Sequence, residues 1–183
     1  MKLAEALRLR SDYQSEVNLL SQRIYDNSTR NEDVEPEEDC IKLMEQLTLY
    51  SKKQIALAVS ISLINLTIEI EYASYYDNIK VAKYVGDLFT TELDPRIRKS
   101  KKLILQALVE RDRLSAEIGR LNSIHSRSAP SIRHKEDDIK QVTDINREAL
   151  RDKIDRMSKF LRMMDTEIQA RNWLVDYEEK VLF

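Results

Sequence analysis

The sequence predicts an all-α fold: long antiparallel helices in a bundle or coiled-coil-like arrangement, with room for one short β segment near 66–72 or 138–142. Three observations carry this. The chain holds only 2 Gly and 3 Pro in 183 residues, too few for the many turns of an all-β protein. Apolar residues recur in three- and four-residue steps over several long stretches, the signature of a helix with one buried face. Polar segments separate these stretches, and Pro36, Pro95 and Pro130 each fall inside one of them.

The first helix runs from Lys2 to about Asn27, with Leu3, Ala6, Tyr13, Val17, Leu20 and Ile24 on its seam and Arg10 as the interruption. "NSTRNEDVEPEED" breaks the pattern. Pro36 suits a first helical turn, and Glu37, Glu38 and Asp39 suit the positive end of a helix dipole. The second helix carries Leu43, Leu47, Tyr50, Leu57, Ile61 and Ile64, with Gln54 as its polar member. Beyond Asn65 the period changes to two, because Leu66, Ile68, Ile70 and Tyr72 alternate with Thr67, Glu69 and Glu71. That favours a break and a short strand.

Residues 75–93 read as a further amphipathic helix using Ile79, Ala82, Val85, Leu88 and Phe89, with Gly86 as its weak point. "DPRIRKSKK" reads as a connector. The third helix spans about Lys99 to His125, and its seam passes through Leu103, Ala107, Glu110, Leu114, Glu117, Leu121 and Ile124. "SRSAPSIRHKEDD" is the next break. The fourth helix has Leu150, Ile154, Met157, Leu161, Met164 and Ile168 in unbroken four-three alternation, with Asp144 or Asn146 as its cap and an end near Trp173. The whole reads as a single helical domain, 1–183, with an insertion-like region at about 68–98.

Several function classes are disfavoured. The Gly count argues against a phosphate-cradling loop. A net charge of −2 provides no global field for nucleic acid or anionic lipid. "RIRKSKK" with Arg120, Arg127, Arg133 and Lys135 could form a local basic patch, but no aromatic residue interleaves it and Glu136, Asp137 and Asp138 follow, so no nucleic acid partner is expected. The lone Cys40 excludes an intrachain disulfide and suits a reducing cytoplasm. The charged N-terminus lacks the apolar run of a signal peptide. Residues 54–68 are uncharged but contain Gln54, Ser60, Ser62, Asn65 and Thr67, and they fall short of the roughly 20 apolar residues a membrane span needs. A core or subunit-interface helix accounts for them better.

The chemistry-bearing residues cluster on the third helix. Glu110 and Glu117 lie one heptad apart on a seam that otherwise faces a core. With Asp112 and His125 they are candidate ligands for a divalent metal or an acid/base pair. The bland reading is a structural polar cluster of Glu110, Arg111, Asp112, Arg127, Arg133, Asp138 and Lys140. A di-iron bundle is excluded, since neither histidine has Glu three residues earlier. A helical pyrophosphohydrolase finds Glu35 and Glu38 but not the matching acidic spacing on helix three. His125 and His134 flank a loop, too thin a cluster for a metal by themselves.

"MKLAEALRLRSDYQ", "EPEED", "IN" before Thr67, "ALVERDRL", "IRHKEDDIKQV", "LRDKIDRM" and "DTEIQARNW" occur in the order found in small bacterial helical proteins of the septicolysin-like family, which the chain resembles over most of its length. It departs from that pattern at residues 68–98, at Leu66 and Ile68 in place of polar residues, and at Asp138 in place of glutamate. The resemblance implies a bacterial, soluble, all-α protein that self-associates, and its name implies a cytolysin.

The leading expectation is a non-enzymatic cytoplasmic homo-oligomer whose interface uses Leu57, Ile61, Ile64, Leu161 and Met164, with no catalytic residues. Long helices with narrow seams bury little area per residue, and association between chains is the usual remedy. The alternative is a metal-binding protein or metal-dependent hydrolase using the carboxylates of helix three. Membrane lysis is the distant third.

Overall fold

A computed structural model describes residues 1–29, 38–81, 91–93, 97–128 and 145–178. Four long helices dominate, with short antiparallel strand pairings between the second and third. The chain divides into two compact units: Met1–Ile68 with Gln169–Phe183, and Glu69–Ile168. The first division falls where the insertion-like region of the sequence begins.

The first unit is a helical hairpin of α1 (Leu3–Asn27) and α2 (Cys40–Asn65). At the start of α1 the Lys2 amide donates to the Glu5 carboxylate at 2.7 Å, which satisfies one of the orphan donors every helix start presents. Asp39 caps α2, accepting from the amides of Ile41 at 3.0 Å and Lys42 at 3.4 Å. Those amides, Lys42 first, hold its carboxyl below the usual range. Leu3, Ala6, Leu57, Ile61, Ile64 and Tyr177 form the core, flanked by Leu7, Leu9, Tyr13, Ile68 and Val175. Further along, Tyr13 and Tyr50 meet with ring centroids 5.7 Å apart, and the Lys53 ammonium lies over both rings. At the turn end Arg23 grips Glu38 through two guanidinium nitrogens. The Cys40 thiol donates to the Asn27 carbonyl at 3.3 Å. Residues 175–177 close the other end as a backbone clasp: the Leu3 amide donates to Val175, and the Tyr177 amide donates to Met1.

The break at Asn65 is confirmed. Thr67 folds back, its amide and hydroxyl both donating to the Ile64 carbonyl at 2.9 Å. Strand β1 (Glu69–Tyr72) follows, with alternate residues buried as its two-residue period requires.

In the second unit β1 pairs antiparallel with a strand at Ser100–Leu103, Ile70 facing Lys102 and Tyr72 facing Ser100. Between them, Ile79–Val81 (β2) pairs with Thr91–Leu93 (β3), so Ser100–Leu103 is β4. This corrects the reading of 75–93 as an amphipathic helix: 75–78 form a turn, while 79–81 and 91–93 are strands. Ile79-Lys80-Val81 fits a period of two as well as one helical step, and β-branched residues favour the strand. Ala82, Val85, Leu88 and Phe89 lie outside the described residues, as does 138–142. "RIRKSKK" is likewise a strand in its latter part rather than an irregular connector. The third helix, α3, therefore starts at Ile104 rather than Lys99 and ends at Arg127. The Leu103 amide donates to Gln106 at 3.2 Å to open it.

The fourth helix, α4, spans Arg147–Leu174, capped by Asn146, whose side-chain oxygen accepts from the Ala149 amide at 3.0 Å. The core of this unit joins Ala73, Tyr75, Leu114, Met157 and Phe160. Tyr75 stands edge-on to Phe160 with centroids 5.6 Å apart, a favoured aromatic geometry. Buried Asn78 bonds to the carbonyls of Ser74 and Arg98 and accepts from the Arg98 amide.

Candidate functional site

Among the described residues of the second unit, a polar arrangement is built around Lys102. Strand β4 places Lys102 and Ser100 two residues apart on one face, beside the 75–78 turn and the first turns of α3. The Lys102 ammonium lies 2.8 Å from Asp77 Oδ2 and 2.8 Å from Glu110 Oε1, and 5.6 Å from the centroid of the Tyr72 ring. The Ser100 hydroxyl donates to Asp77 at 2.9 Å. One ammonium thus bridges a turn, a strand and a helix. The trio carries a net charge of −1.

Burial pulls the Lys102 ammonium towards deprotonation, but bonds to Asp77 and Glu110 outweigh it and hold its pKa above the ordinary lysine value. Asp77 is held below the usual carboxylate range, first by Lys102, then by Ser100. Tyr72 is pushed well above the usual phenol range, first by burial and then by the charge of Glu110. Its hydroxyl and Glu110 Oε2 are both buried without a hydrogen-bond partner. The arrangement is a structural clamp. Beside it an open pocket of about 380 Å³ is lined by Lys102, Leu105, Gln106, Val109 and Glu110.

The other carboxylates of α3 go elsewhere. Glu117 accepts from the Tyr76 hydroxyl at 3.3 Å and faces Lys153 at 3.6 Å. Asp112 pairs with its neighbour Arg111 at 2.7 Å on the surface. His125 is half-buried near the end of α3 and Arg127 is exposed, about 25 Å along the helix from Glu110. Arg133, Asp138 and Lys140 lie outside the described residues. Glu110, Asp112, Glu117 and His125 are therefore not brought together, and among the described residues no group of three or more His, Cys, Asp or Glu side chains is placed to hold a metal. The basic stretch is largely neutralised: Lys99 pairs with Glu167, Lys101 with Glu69, and Lys102 as described.

The residues assigned to an interface are occupied within the chain. Leu57, Ile61 and Ile64 are buried against Leu3, Ala6 and Tyr177, Met164 is fully buried, and Leu161 packs against the core around Phe160. Among the described residues, apolar side chains are exposed on every helix, and one group of them lies on the opposite side of α2. Ile41, Met44, Thr48, Lys52, Ile55, Val59, Leu63 and Leu66 fall within a narrow stripe, half a turn from the core face. Its six large apolar members range from 40% exposed at Val59 to 71% at Ile41. Sequence reasoning followed the stripe through Leu57, Ile61 and Ile64 and missed this second one. The signal was the equally regular run of Ile55, Val59 and Leu63 two residues out of step with it.

A family model described as a family of unknown function, DUF6847, matches residues 10–177. Among solved structures the chain is similar to a functionally unknown conserved protein from Corynebacterium diphtheriae, with 21% identity and a TM-score of 0.75, covering 97% of this chain and 99% of that one. That likeness concerns the fold alone. No curated protein matches.

Proposed function

The chain belongs to the DUF6847 family, whose function is unknown, and we propose that it is a non-enzymatic cytoplasmic helical protein that works as a homo-oligomer through the outward face of α2. The observation that supports this is a set of exposed apolar side chains on the outward side of α2, Ile41 and Met44 near its start and Ile55, Val59 and Leu63 with the following Leu66 near its end, while its other face already fills a core. Apolar patches of that extent mark association surfaces. Fully burying one aliphatic side chain yields about 1.5–3 kcal/mol. The six large apolar members are about half exposed, so two copies gain roughly 12 kcal/mol, against an association cost of about 4–15 kcal/mol. The balance favours a weak, concentration-dependent assembly.

Membrane lysis rests on the septicolysin resemblance and on the uncharged residues 54–68, and no described helix is long and apolar enough to cross a membrane. The metal-dependent alternative lacks a three-ligand group among the described residues.

Light scattering on a size-exclusion column, run from about 1 to about 100 micromolar to bracket a micromolar dissociation constant, tests the reading. The mass should rise with concentration, and Val59→Asp should return it to the monomer value with the helical circular dichroism unchanged. A monomer across the whole range ends the proposal.

A further inference from the structure

We draw no further inference here: the strongest candidate, the open pocket over the first turns of α3 lined by Lys102, Leu105, Gln106, Val109 and Glu110, belongs to the clamp already described, whose Lys102 and Glu110 already bind each other.

Discussion

The Asn78 side chain and the Arg98 backbone exchange two hydrogen bonds: Nδ2 donates to the Arg98 carbonyl at 3.0 Å, and Oδ1 accepts from the Arg98 amide at 2.7 Å. A side-chain amide here does what a neighbouring strand would do, satisfying a donor and an acceptor of one residue together. A third bond, to the Ser74 carbonyl at 2.7 Å, fixes Asn78 to its own turn. The bonds close the segment that contains β2 and β3.

Asn78→Ala should therefore destabilise the protein by about 2–3 kcal/mol, because three bonds are lost and backbone groups are left without them. Asn78→Asp should be worse at neutral pH, since a carboxylate presents acceptors to two carbonyls. It should recover partly in acid as that carboxyl protonates. Urea unfolding of both variants at two pH values checks the order and the recovery.

The Lys102 clamp predicts a pH dependence of known sign. Asp77 has a depressed pKa in the folded state, so its contribution is fully present above the ordinary value of 3.8 and is lost as pH falls through the folded value. Since the Asp77 side chain is 41% exposed, solvent screening reduces that contribution to about 1 kcal/mol or less. Asp39 and Asp176 are also lowered, so the test is the difference between wild type and Asp77→Asn. That difference should shrink between pH 5 and pH 2 as Asp77 protonates. A difference that stays constant with pH would show that the carboxylate charge contributes nothing.

Lys102→Met should cost about 1–3 kcal/mol, because it leaves Glu110 and Asp77 without their cation while keeping the aliphatic stem. In a double-mutant cycle with Glu110→Gln the two losses should not add. Additive losses would mean that the observed 2.8 Å contact carries no coupling.

Tyr72 has the opposite character. Its hydroxyl is buried with no partner at full hydrogen-bond distance among the described residues, although the Glu110 carboxylate lies close enough to raise its pKa, so Tyr72→Phe should leave the melting temperature unchanged or raise it, since a desolvated polar atom is removed. A loss above about 1 kcal/mol would show that the hydroxyl bonds to Glu110 in solution.

In the second core, Phe160→Ala should cost about 3–5 kcal/mol, since it removes a buried ring that Tyr75 packs against edge-on. Trp173→Ala should cost little, because that ring is mostly exposed. Thermal unfolding of the pair gives the contrast directly.

Helices were legible where one face carries a regular seam. α1, α2 and α4 lie close to where the periodicity of Leu3, Leu57 and Met157 puts them, and the break at Asn65 was visible as a change of period. The strand pairings were harder. Short strands such as 79–81 hold too few residues to separate a period of two from one of 3.6, and their partners are set by contacts distant in sequence. The clamp was half visible. Glu110 stood out as a carboxylate on an apolar seam, but its partner Lys102 lay in what read as a solvated connector, and Asp77 lay in what read as a helix. The β1–β4 pairing sets Lys102 opposite Ile70, and the Lys102 ammonium meets Asp77 from the turn and Glu110 from α3. The three carboxylates of α3 share a sequence neighbourhood, yet each faces a different partner.

The clasp between residues 1–3 and 175–177 has a consequence for the order in which the chain can acquire its structure. Residues 69–168 are contiguous and hold their own core, so they can fold while the rest is still being synthesised. The first unit cannot, because its core includes Tyr177 and its first helix is secured by Val175. Until residues 175–177 have left the ribosome, the inner face of α2 lacks part of its cover. A chain stopped after Leu174 should therefore lose protection of the Leu3 and Ala6 amides in hydrogen exchange while the amides around Leu114 stay protected.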